Sequence, residues 1–131
     1  MWTMTTSNDS PILRSVILCL IAAFISACAT LPPRAQTQDL KSIAGKWEGY
    51  MDTPKGRMTG TDNIREDGTD EWTTGNETGT ITFTVDNGVL RWKSTSGRTG
   101  TATLHEGDGK RVMIWTIDGC QTCKGVYTPA Q

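Results

Sequence analysis

Tight-turn signals recur about every ten residues from position 45 onward, which leaves room between them only for short strands. The punctuation is Thr53-Pro54-Lys55-Gly56, Glu66-Asp67-Gly68, Asp86-Asn87-Gly88, Ser96-Gly97, Gly107-Asp108-Gly109 and Asp118-Gly119. Asn and Asp tolerate positive φ and Gly adopts it without steric cost, so such steps close antiparallel hairpins. Asn87-Gly88 is the strongest of these signals. The intervals predict strands at 46–52, 56–65, 70–76, 79–86, 89–94, 99–105, 111–117 and 124–128. Eight short sequential strands joined by tight turns imply an all-β fold, a small up-and-down antiparallel meander barrel, closed or nearly closed.

Alternation within the strands names a core. Trp47 and Met51 share one face of the first strand, and Met58 and Ile64 share one face of the second. Ile81, Phe83 and Val85 oppose Thr80, Thr82 and Thr84, while Leu90 and Trp92 oppose Arg91 and Lys93. Ala102 and Leu104 oppose Thr101 and Thr103. The seventh strand is apolar on both faces, with Val112 and Ile114 against Met113, Trp115 and Ile117. It is therefore either central to the packing or covered from outside by a helical turn at 39–44. That turn would have Asp39 as cap, Leu40 and Ile43 as apolar face, and Gly45 as stop.

A weak repeat runs through EDGTDEW, DNGVLRW and GDGKRVMIW, each placing a tight turn ahead of a tryptophan. Successive hairpins would set these aromatics at one level of the barrel, where they leave little room inside so small a sheet.

Upstream, Ser15 to Ala27 is an apolar run of 13 residues behind Arg14. A spanning helix needs roughly 20 apolar residues, so this length suits the h-region of a signal peptide. The ending Ile25-Ser26-Ala27-Cys28 resembles the lipobox of bacterial lipoprotein signal peptides. That resemblance implies removal of residues 1–27 and lipidation of Cys28, with several acyl chains, palmitate among them, as a membrane anchor. Ala29 after the cysteine, by resemblance to Gram-negative lipoproteins, implies the outer membrane, facing the periplasm. A second reading stays open, because Ala27-Cys28-Ala29 also fits ordinary signal-peptidase cleavage, which would release a secreted protein beginning at Thr30.

Removing 27 of the 131 residues would leave 104, with 12 basic and 13 acidic side chains. That balance argues against nucleic acid as a partner, which needs a basic face, and against electrostatic docking on anionic lipid. The expected organisation is a signal peptide at 1–27, lipidated Cys28 with a flexible tether and short helical turn at 28–44, and a β-barrel domain at 45–131. Pro32-Pro33 favours an extended tether that buries no core.

Ala44-Gly45-Lys46-Trp47-Glu48-Gly49 resembles the Gly-x-Trp start of lipocalin-like barrels. The resemblance implies that Trp47 plugs the closed end of the barrel. More broadly, Gly45 to Gly49, Glu66 to Thr69, Ser94 to Leu104 and Gly107 to Arg111 resemble uncharacterised small bacterial envelope lipoproteins. Ser96-Gly97 between two strands is similar to the inhibitory loop of lysozyme-inhibitor lipoproteins.

Cys120-Gln121-Thr122-Cys123 has the spacing of a thioredoxin-type pair, but redox work needs a lowered thiol pKa from a helix N-terminus or nearby cations. Here the pair follows a predicted turn with Lys124 the only adjacent cation, so a structural disulfide is expected. Zinc would need two further ligands and the chain has one histidine, His105, which reads as a solvated strand end. Asp67, Asp70 and Glu71 match no calcium-loop spacing and read as a solvated turn. Met51, Met58 and Met113 read as core filler rather than copper ligands. No cofactor, no metal and no catalytic residue is expected. The expected function is a non-enzymatic, membrane-anchored envelope module that binds an unknown envelope protein or is structural. The alternatives are a carrier of a small apolar ligand and, behind it, a protein inhibitor of the lysozyme-inhibitor type. A contiguous internal cavity would favour the carrier.

Overall fold

A computed structural model describes residues 30–131, so the leader, Cys19 and Cys28 lie outside the described residues. Eight antiparallel strands close into a barrel in sequence order, from β1 round to β8 and back to β1. They are β1 Gly45–Thr53, β2 Gly56–Ile64, β3 Thr69–Thr74, β4 Glu77–Asp86, β5 Val89–Ser94, β6 Thr99–Gly107, β7 Lys110–Ile117 and β8 Cys120–Pro129. Closure leaves no edge to template another chain. The expected all-β meander barrel is the observed fold. Asn87 and Gly88 have φ of 49° and 77°, and Asp108 and Gly109 have 51° and 71°, as two-residue hairpin turns require. The largest shift from the expected strands is at β8, which starts at Cys120, because Asp118-Gly119 alone makes the turn, so the cysteines lie within the strand.

The interior is Ile43, Trp47, Ile64, Ile81, Phe83, Leu90, Trp92, Ala102, Leu104, Met113 and Trp115, all buried. The alternation therefore assigned the inward faces correctly for β1, β4, β5 and β6. In β7 the inward set is Met113, Trp115 and Ile117, while Val112 and Ile114 stay half exposed. The 3₁₀ turn Leu40–Ile43 does not cover that outer face. It caps one end of the barrel, with Ile43 in the core and Leu40 against Gly68.

The repeated tryptophans share a device for fitting indoles into a narrow sheet. Trp72 pairs across the ladder with Gly79, Trp92 with Gly100 and Trp115 with Gly125. A methyl group at Gly79 or Gly100 would stand 2.5 Å from the facing indole, and one at Gly125 would stand 3.0 Å from Trp115 Cβ. The Trp72 and Trp92 rings lie over the strand beside them because that strand has no side chain there.

The segment before the barrel departs from the expected free tether. Ala35 N donates to Leu104 O at 2.7 Å and Glu106 N donates to Pro33 O at 3.0 Å. His105 Nδ1 lies 2.9 Å from Pro32 O, so this histidine is half buried under the strap rather than solvated. Thr37 is buried and Ala35 packs against the core. The cause is a length mismatch: β5 pairs with β6 no further than Leu90 and Ala102, while β6 runs on to Gly107. The backbone groups of β6 past that point need partners, and the strap supplies them.

Candidate functional site

The two ends of the barrel differ. At the end carrying the strap, Trp47 is buried and its Nε1 donates to Ile43 O at 2.9 Å. The Arg111 guanidinium sits 5.3 Å from the centre of the Trp47 ring and donates to Ser42 O, tying β7 to the 3₁₀ turn. Trp47, with Ile43 below it and Arg111 across it, fills this end.

The opposite end, bounded by the β1–β2, β3–β4, β5–β6 and β7–β8 turns, holds a cavity of about 190 Å³. Its walls include Met51, Met58, Trp72, Trp92, Trp115 and Tyr127, with Asp62 among them. Met58 is 44% exposed at this end, where a core residue was expected. Trp115 organises the aromatic wall: its ring centre lies 5.1 Å from Phe83 edge-on, 5.8 Å from Trp92 and 5.4 Å from Tyr127. The three repeated tryptophans thus line one space rather than filling it.

Sequence reasoning missed the polar part of the site. Asp62 and Asp70 are 4% and 0% exposed, inside the barrel, where Asp70 had been read as part of a solvated turn. Asp67 and Glu71, its neighbours in that reading, are exposed and capture Thr69 N and Arg65 respectively. Parity is the signal that finds the pair. Asp62 lies between Met58 and Ile64 on the same face of β2, and Asp70 shares its face of β3 with Trp72. The pairs Asp62↔Trp72 and Ile64↔Asp70 place the two carboxyls on adjacent strands one step apart.

Burial pushes both carboxyls well above the ordinary carboxylate range, Asp62 to about 8 with the nearby Asp70 charge adding to the effect, and Asp70 to about 6. A charge on Asp70 makes Asp62 harder to ionise, so the two carboxyls release their protons in separate steps. Burial, and then the two carboxyls, also raise the Tyr127 hydroxyl above its usual value. Asp62 Oδ2, both Asp70 oxygens, Trp92 Nε1 and Trp115 Nε1 are buried without a hydrogen-bond partner in the protein.

The other candidate residues stand apart from this arrangement. Cys120 and Cys123 are at disulfide distance, their sulfurs 1.96 Å apart, at the start of β8. Closing so short a loop contributes roughly 2 kcal/mol by chain entropy. Replacing both cysteines with serine is expected to lower the unfolding free energy by about that amount, read from urea denaturation. An unchanged midpoint would show that the crosslink adds nothing. Among the described residues no group of His, Cys, Asp and Glu is arranged to hold a metal ion. Ser96-Gly97 forms a tight turn, with Gly97 N donating to Ser94 O at 3.0 Å and Ser96 at the cavity rim.

Compared with known proteins, the chain matches no family model, no curated protein and no solved structure. Its class is therefore set by its own architecture: a closed eight-stranded antiparallel barrel, plugged at one end and hollow at the other.

Proposed function

We propose that this barrel is a small-ligand-binding protein of the bacterial cell envelope, lipid-anchored through Cys28 and without catalytic activity. One observation carries the binding reading: buried polar atoms of Asp62, Trp92 and Trp115 have no partner in the protein, and all three residues line one cavity. Leaving a buried polar group unpaired costs about 1–3 kcal/mol, and a ligand that pairs with it recovers that cost. A barrel serving only as a structural module would gain from filling the space with apolar side chains. The observation moves the carrier reading ahead of a protein-contact module, and the Gly-x-Trp start at Gly45 to Trp47 agrees with a lipocalin-like use of the fold.

A single-ring solute such as benzyl alcohol suits a volume below the 300–1,000 Å³ of common drug-sized sites. Titrating it while reading tryptophan fluorescence is expected to give a saturable change from the cavity indoles. If a panel of single-ring solutes gives no saturable response from the folded protein, the binding reading fails.

The anchor rests on Ile25-Ser26-Ala27-Cys28. Cys28→Ser is expected to move the protein from the sedimenting membrane fraction to the soluble envelope fraction. Continued sedimentation with membranes would overturn the lipid anchor.

A further inference from the structure

We propose that the cavity takes a small protonated amine, its ammonium group seated against the Asp62 carboxylate and its ring or short chain held among Trp72, Trp92, Trp115 and Tyr127. This rests on the ligand-binding reading and names the chemistry of its ligand.

Charge is the first argument. The ion pairs among the described residues are Asp52–Arg57, Arg65–Glu71, Asp86–Arg91 and Glu106–Arg111, all with solvent-exposed partners. Neither Asp62 nor Asp70 takes part in one, so a carboxylate at Asp62 has no basic side chain to balance it. A buried carboxylate without a counter-charge is costly, so Asp62 holds its proton until a cation arriving from solution lets it ionise. The walls are the second argument. Aromatic faces carry negative potential and attract cations, more strongly where water is excluded. The third is size: about 190 Å³ equals roughly six waters of liquid volume, enough for one ring or a short chain. An anion would meet the carboxyl pair, and a neutral apolar ligand would leave the carboxyl oxygens as unpaired as before. The unpartnered Trp92 and Trp115 N–H groups remain for an acceptor, such as a hydroxyl, on the same ligand.

Binding includes a proton step. Asp62 enters as the neutral acid, loses its O–H proton to solvent, and the carboxylate then accepts hydrogen bonds from the ammonium, whose N–H bonds stay intact. The groups facing Asp62 are Asp70 from β3 and Tyr127 from β8, with Glu77 and Arg98 at the cavity rim. Glu71 acts on Asp70. The two rim charges are of opposite sign and balance each other.

The test uses the full-length protein in detergent and calorimetry at pH 7 with benzylamine, benzyl alcohol and phenylacetate. Benzylamine is expected to bind at least about tenfold more tightly than benzyl alcohol, as a hydrogen-bonded charge pair implies. Phenylacetate is expected to bind most weakly. Asp62→Asn should bring benzylamine and benzyl alcohol to within about twofold of each other, by removing that charge pair alone. In two buffers of different ionisation enthalpy, the benzylamine heat should differ by close to one proton released, and the benzyl alcohol heat should not differ. Equal binding of amine and alcohol, or preference for phenylacetate, overturns the amine assignment while leaving a ligand site. Binding by none of the three overturns the ligand reading as well. If the Asn variant does not fold, the buffer comparison on the unaltered protein decides, and absence of proton release overturns the proposal.

Discussion

Trp115→Ala is expected to lower the stability of the barrel by about 3–5 kcal/mol, the cost of truncating a large aromatic in a packed core. The position is severe because one ring serves several neighbours: Phe83 meets it edge-on, Trp92 and Tyr127 pack against it, and Gly125 leaves space for it on β8. The residue directly opposite on β8 is glycine, so no side chain at that position fills the void. Truncation would also enlarge the existing cavity. Trp72→Ala is the internal comparison. It has the same glycine partner arrangement but is only half buried at the cavity wall, so it should cost less than half as much. Urea denaturation of the two variants separates them. Equal losses would show that the two indoles bear on the core alike, against the polarity of the barrel described above.

Stability is expected to fall as pH rises from about 4 to about 8, the reverse of a protein held by paired carboxylates. The sign follows from Asp62 and Asp70, whose folded values of about 8 and about 6 lie above the ordinary 3.8. Between those limits the folded chain holds protons that the unfolded chain has released, so raising the pH favours unfolding. Each extra proton held corresponds to a slope of about 1.4 kcal/mol per pH unit. From pH 6 to 8 Asp62 is the residue concerned, and the expected loss there is about 2–3 kcal/mol. On the acid side the sign reverses. A hydrogen bond from Arg57 holds Asp52 below the usual carboxylate range, and backbone hydrogen bonding at Thr69 does the same for Asp67. Their contributions are lost only as pH falls through those lowered values, so the optimum lies on the acid side of neutrality. Asp62→Asn should flatten the limb from pH 6 to 8, because an amide has no proton to release in that range. Urea midpoints that stay level or climb across that interval in the unaltered protein would sink this account.

Most of the architecture was legible because two independent periodicities agree. Turn residues set the hairpin positions, and alternation set which side chains point inward, as in Ile81-Thr82-Phe83-Thr84-Val85. The interior acid pair was not legible in the same way. Alternation is scored on apolar residues, so it passes over Asp62 and leaves Asp70 to be read as part of a solvated turn, although their parity places both inside. The cavity was hidden for a related reason. The repeated tryptophans suggested a full interior, whereas the cross-strand glycines that let Trp72 and Trp92 lie against the wall are known only once the register is known. The strap escaped notice because Pro32-Pro33 predicts an extended backbone and says nothing about what it lies against. The unequal reach of β5 and β6 decides that.

The strap also bears on where a ligand would be exchanged. Hydrogen bonds from Pro32 onward fasten the chain at the plugged end, and only three residues, Ala29 to Leu31, lie between Cys28 and Pro32. Fully extended, the four steps from Cys28 to Pro32 span about 14 Å at most. Under the proposed lipid anchor this is a short leash, attached at the end of the barrel opposite the hollow. Cargo would then pass between the cavity and water rather than between the cavity and the bilayer.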